Sequence, residues 1–200
     1  MILTSSGLSD KMKEMFVNII GKNIEEIRIL YIPTAGYETD GAREGFSLCL
    51  DELAKMGIRY ENILIYNLEL LLSKRYIRTY SAHIEKAAMV SRLLTIEEVK
   101  SFDAIFVSGG DCAVLCREMV RTGFDELLTR AISEGVLYVG ISAGSMFAAG
   151  NFDSGLHVIP NPIIPHCYGT NKTKIENSLT EIQLSDGHAI YIENDEIKWI

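Results

Sequence analysis

The chain has 200 residues, of which 48% are hydrophobic and 23% charged, and its formal net charge is −8. That length suits one domain over residues 1–200, and that apolar share can fill a sizeable core, which sets the chain apart from disordered or fibrous sequences. The acidic balance, with no basic cluster longer than Lys74-Arg75, argues against a nucleic-acid partner.

The start, MILTSSGLSDKMKEMF, is apolar for only a few residues, short of the roughly 7–15 that a secretory core needs. No stretch reaches the ~18 apolar residues expected of a membrane span. The expectation is a cytoplasmic protein away from membranes. Cys49, Cys112, Cys116 and Cys167 show no CxxC spacing, which fits free thiols in a reducing compartment. Cys112 and Cys116 would share a helix face, and a zinc site there would need a distant histidine as well. Asp111 has no His/Asp cluster around it to support a metal-ligand role, so no metal is expected.

In chain order, Met1–Thr4 is a short apolar start and Asp10–Ile20 a helical stretch. IRILYIPTA (27–35), rich in branched residues, predicts a buried strand, and 41–57, with apolar residues at 46, 48, 50, 53 and 56 before Gly57, predicts a helix. A strand lies within 61–70. Residues 71–100 are ambiguous up to TIEEVKSF (95–102), a helix opened by a threonine cap. DAIFVSGGD (103–111) is a strand running into a double-glycine turn. Residues 112–135 form one or two helices broken near Gly123, and VLYVGIS (136–142) is a strand. A proline-rich connection, HVIPNPIIPHC, leads towards a terminal β-hairpin (187–200) that turns at Asn194-Asp195. Alternating strands and helices, with near-continuous apolar strands, predict an α/β fold: a mostly parallel sheet with helices on both faces. Sites in such folds form at the carboxyl ends of strands, where PTAG, SGGD and ISAG all fall.

GISAG (140–144) follows the apolar run of the 136–142 strand. A nucleophile elbow needs this pattern: Ser142 on a sharp strand-to-helix turn, with small residues two before and two after it. Gly140 and Gly144 meet that need, and a helix starting at Ala143 would aim free N–H groups at an oxyanion. The same five residues also suit an ordinary glycine-bounded turn. Gly109 or Gly110 of SGGD would let a second backbone N–H approach a substrate, while Asp111 would cap the next helix. A serine needs a base. His166 in IIPHCYG stands at a strand end after Pro165, and His157 is the rival. His83 and His188 read as surface residues.

These pieces together resemble the serine peptidase family of aspartyl dipeptidase (dipeptidase E) and cyanophycinase, peptidase family S51, whose members are similar in fold to class I glutamine amidotransferases and so flavodoxin-like. The resemblance runs through YIPTA, FVSGGDCAVL, GISAG, the PH pair and the terminal apolar hairpin, in that order. It implies a serine-type peptidase acting on dipeptides or short peptides, without a cofactor, as a monomer or homodimer. The implied nucleophile is Ser142 and the implied base is His166. The implied oxyanion donors are Ala143 and the glycines Gly109 and Gly110. The resemblance also implies an acidic residue between serine and histidine. Asp153 is the only acidic residue there, and NFDSG equally reads as a turn. Aspartyl dipeptidases hold the substrate's aspartate with an arginine downstream of the histidine; here CYGTNKTKIENSL offers only Lys172 and Lys174. An α/β-hydrolase esterase also uses G-x-S-x-G, but too little chain follows Ser142 for its later units. A member that has lost its acid and binds a ligand or partner is the non-enzymatic alternative.

Overall fold

The structure, a computed structural model, describes residues 1–36, 40–79, 91–168, 172–176, 179–194 and 196–200. Its strands are β1 (Ile2–Thr4), β2 (Ile29–Ile32), β3 (Ile63–Ile65), β4 (Ala104–Val107), β5 (Leu137–Ile141), β6 (Ile163–Ile164), β7 (Lys172–Glu176), β8 (Leu179–Gln183), β9 (Ala189–Glu193) and β10 (Glu196–Trp199). Its helices are α1 (Asp10–Ile20), α2 (Asp40–Lys55), α3 (Lys74–Thr79), α4 (Ile96–Val99), α5 (Cys112–Thr122), α6 (Phe124–Ser133) and α7 (Ala143–Ala148).

Seven strands form one sheet in the order β10-β9-β1-β5-β4-β2-β3. The five strands from β1 to β3 in that order pair in parallel, and the β9–β10 hairpin adds to the β1 edge in antiparallel fashion. This is the expected mostly parallel, flavodoxin-like α/β sheet. Side chains of successive strand residues point to opposite faces, and the buried residues divide accordingly. Leu30, Ile32, Ile105, Val107 and Tyr138 enter one core with residues of α5, α6 and α7. Ile29, Tyr31, Ala104, Phe106, Leu137 and Val139 enter the other with residues of α1 and α2. Both faces are therefore covered, which is why β2, β4 and β5 read as unbroken apolar runs.

Several boundaries follow local chemistry. The predicted strand at 27–35 stops at Ile32, because Thr34–Gly36 turn as a single 3₁₀ step. Residues 112–135 form two helices, α5 and α6. Gly123, at φ 82°, ends α5 by donating its N–H to Met119 O and opens α6 at once. Thr95 and Glu98 form a reciprocal capping box on α4, as the threonine cap predicts. The β9–β10 hairpin is present with Asn194 at φ 49°; Asp195, the other predicted turn residue, lies outside the described residues.

A second sheet, in the order β6-β8-β7, was not foreseen. Its strands come from the proline-rich connection and from the polar run KTKIE…LTEIQ, which carries no sustained apolar alternation to mark it. This small sheet decides how the site is assembled.

Candidate active site

Ser142 follows β5 directly and precedes α7. Its backbone has φ 48° and ψ −104°, a conformation that a non-glycine residue adopts only under strain and that clusters at functional sites. The flanking glycines explain how the turn closes. A Cβ on Gly140 would stand 2.7 Å from the carbonyl carbon of Gly144, and one on Gly144 would stand 2.3 Å from the carbonyl oxygen of Val107. α7 therefore lies directly against β4 and β5. Ser142 N–H donates to Thr4 O at 2.9 Å, and the Ser145 hydroxyl donates between Thr4 O (2.8 Å) and Gly140 O (2.7 Å). Tyr138, fully buried, donates its hydroxyl to Gly144 O at 2.7 Å. The elbow is thus pinned to β1 on one side and to β5 beneath it.

His166 follows β6 and Pro165, at φ 58°. Its Nε2 lies 2.9 Å from Ser142 Oγ and its Nδ1 lies 2.8 Å from Asp186 Oδ1. A carboxylate only accepts, so Nδ1 carries the proton that it donates to Asp186, which leaves Nε2 to accept from the serine hydroxyl. The small sheet sets up this pairing. β6 and β8 run parallel with Ile164 opposite Gln183, so the residues just beyond their ends, His166 and Asp186, emerge side by side.

Asp186 replaces the predicted Asp153 as histidine's acidic partner. Asp153 sits exposed in the loop after α7, and its backbone carbonyl lies 3.3 Å from Nε2 of His157. The rival histidine is therefore held within that loop, and Ser142 bonds to His166. The acid comes after the histidine in the chain, whereas the resemblance implies one between serine and histidine. Its sequence signal was the Asp-Gly of SDGH ahead of the terminal hairpin, which reads equally well as a turn.

Ser5, just past β1, was also missed. It is fully buried, donates its hydroxyl to Asp186 Oδ1 at 2.9 Å, and accepts the backbone N–H of His166 at 2.7 Å. The Ser5 hydroxyl beside Asp186 is the main reason its carboxyl lies below the ordinary carboxylate range, with the bond from His166 contributing. Nothing in MILTSSG marks a serine for this role; only the pairing of β1 with β5 and β9 brings it there.

The SGGD turn stands beside the serine. A Cβ on Gly109 would lie 3.1 Å from the Ser142 Cβ, and one on Gly110, at φ 135°, would collide with Ala35 O at 2.0 Å. The amides of Ser108 and Asp111 donate to Ile32 O and Ala35 O. Those of Gly109 and Gly110 bond to no backbone carbonyl among the described residues. Asp111 caps α5, accepting from the N–H groups of Ala113 and Val114. No side chain caps α7, whose first residue, Ala143, directly follows the serine.

Ser142, His166 and residues 108–111 line a cleft of about 860 Å³, which also takes in the 5–9 segment, Tyr31 and the face of α2 bearing Phe46, Cys49 and Glu52. Burial pushes the Cys49 thiol up to about 12, so it carries no thiolate to compete as a nucleophile near neutral pH. Cys112 and Cys116 do not extend into a zinc site: among the described residues no three His, Cys, Asp or Glu side chains form a metal-holding group. Nor is any described helix long and apolar enough to cross a membrane.

The family model for peptidase family S51 matches residues 82–200, which include the elbow, His166 and Asp186. The chain belongs to this family of peptidases. An uncharacterised peptidase of Pasteurella multocida (strain Pm70) is 28% identical over 124 residues, 49% of this chain and 59% of that one. Peptidase E of Streptomyces coelicolor (strain ATCC BAA-471 / A3(2) / M145) is 45% identical over 47 residues, 24% of this chain and 19% of that one. The matched stretches thus span less than two thirds of either curated relative. In fold, the chain is similar to a Listeria monocytogenes EGD-e protein classed with peptidase E. The TM-score is 0.66 at 21% identity, covering 100% of this chain and 96% of that one. It is also similar to a peptidase from an acI-B1 Actinobacterium, with a TM-score of 0.58 at 18% identity, covering 94% and 81%.

Proposed function

We propose that this S51 hydrolase is a serine-type peptidase cleaving dipeptides or short peptides through Ser142, His166 and Asp186. The observation that carries the reading is the continuous line of hydrogen bonds from Ser142 Oγ to His166 Nε2 and from His166 Nδ1 to Asp186. His166 takes the hydroxyl proton as Ser142 Oγ attacks the peptide carbonyl carbon. The carbonyl electrons move onto oxygen, where the N–H groups of Ala143 and of the SGGD glycines stabilise the charge. His166, now imidazolium and steadied by Asp186, hands its proton to the leaving amine as the C–N bond breaks. Water, deprotonated by the same His166, then attacks the acyl-enzyme ester; the bond from the acyl carbon to Ser142 Oγ breaks, His166 returns its proton to that oxygen, and the acid product leaves. These three side chains supply every proton transfer, and the reading names no cofactor.

The strain at Ser142 supports it, since a glycine-bounded turn with no chemical role has no need to hold a serine at positive φ. The test is labelling with a fluorophosphonate probe together with hydrolysis of a dipeptide library. The reading requires covalent labelling of Ser142 and loss of both signals in Ser142→Ala. An unlabelled, inactive wild type would instead mark a ligand- or partner-binding member of the family.

A further inference from the structure

The cleft carries a carboxylate that the proposed chemistry does not use. Glu52, on α2, is half-buried and lines the same cleft as Ser142 and His166. Its Oε2 accepts the N–H of Leu8 at 3.4 Å and would lie 3.2 Å from a Cβ on Gly7, so the carboxylate rests on the 5–9 segment whose Ser5 holds Asp186. On α2, Lys55 is bound to Asp51 at 2.5 Å on an exposed face, and Glu52 acts on it only at longer range. Among the described residues that line the cleft there is no arginine or lysine. A cation entering the cleft would give this half-buried carboxylate a charge-assisted partner stronger than the Leu8 amide.

We infer that Glu52 is a specificity residue that selects peptides bearing an ammonium group and disfavours those with an acidic first residue. The inference rests on the peptidase reading, since it concerns the same cleft. The remaining cleft wall favours this class of substrate: Leu8, Tyr31, Phe46 and Ile141 give apolar surface to a side chain. An aspartyl carboxylate placed there would meet Glu52 with like charge and no described cation to balance it.

The ammonium has two possible sources, the peptide's own N-terminus or a lysine side chain, and the experiment separates them. Binding of Lys-Ala, Ala-Ala, Asp-Ala, acetyl-Ala-Ala and acetyl-Lys-Ala is measured by calorimetry on Ser142→Ala, with and without Glu52→Gln. The glutamine keeps an acceptor for Leu8 N–H, so an unchanged Tm shows that its structural contact survives. The expected result is that Lys-Ala and Ala-Ala bind at least tenfold more tightly than Asp-Ala, and that Glu52→Gln removes about tenfold of that advantage. Retained binding of acetyl-Lys-Ala assigns the side chain; its loss together with that of acetyl-Ala-Ala assigns the N-terminus. Equal or tighter binding of Asp-Ala, no effect of Glu52→Gln, or no binding of any dipeptide overturns the inference. Failure of the peptidase reading is seen separately, as a wild type that is neither labelled nor active.

Discussion

At the scale of single residues, the site turns on which carboxylate touches His166. Asp186→Asn keeps the shape but allows the wrong imidazole tautomer, and kcat is expected to fall roughly 10⁴-fold, as for the corresponding change in serine proteases. Asp153→Asn, at an exposed loop position, should leave kcat near that of the wild type and shift stability by no more than about 0.5 kcal/mol. Steady-state rates of the two variants on one dipeptide decide between the carboxylates. Ser5 acts through others, as a positioning residue. Ser5→Ala leaves the His166 N–H without its acceptor and Asp186 without one of its donors. It should lower kcat while barely changing KM. It should also move the acid limb of the kcat profile to higher pH, because Asp186 loses the main contact that holds its carboxyl low. A purely structural role for Ser5 would lower Tm and leave the pH profile in place.

At the scale of elements, close approach of backbones sets the tolerances. Gly144→Ala drives a methyl group into Val107 O at the α7–β4 contact and should cost about 3 kcal/mol in urea unfolding. Gly45→Ala in α2, where the added methyl meets nothing within 4 Å, should instead gain about 0.5–1 kcal/mol by helix propensity. The α4 cap has its own pH signature. The bidentate bond from Arg92, together with the Thr95 N–H, holds the Glu98 carboxyl down at about 2. A carboxyl held lower in the folded state than in the unfolded chain stabilises the fold above its unfolded value, and that support is lost as pH falls from about 4.5 towards 2. Acid titration of Tm should therefore show a shallower loss in Glu98→Gln, which starts lower at pH 6 and converges with the wild type near pH 2.

At the scale of the whole molecule, the sheet gathers at one end segments that are far apart in the chain. Ser5, Gly109 and Ser142 stand at the carboxyl ends of the adjacent strands β1, β4 and β5. The small sheet then brings His166 and Asp186 to the same place. The core beneath the helix α1 face depends on large interlocking groups. Phe106, fully buried, meets Phe16 edge-on at 5.5 Å between ring centroids. Phe106→Ala is expected to cost about 3–5 kcal/mol in unfolding free energy, measured by urea titration.

The sequence alone determined the main sheet, the two covered faces and the elbow, because each is written locally. Apolar runs mark strands buried on both sides, Gly140 and Gly144 mark the tight turn, and Gly123 and Thr95 mark helix ends. Ser142 and His166 could be singled out for the same reason, each standing next to a strand end with small or rigid neighbours. The acidic partner could not be found this way. Asp153 and Asp186 both sit in turn-like sequence, and nothing within a few residues of either tells them apart. Only the parallel pairing of β6 with β8 brings Asp186 beside His166, and only the pairing of β1 with β5 and β9 brings Ser5 beneath them both. Those pairings join residues up to 189 positions apart, Ile2 with Tyr191, through hydrogen bonds between backbones that carry no side-chain signature of their partner.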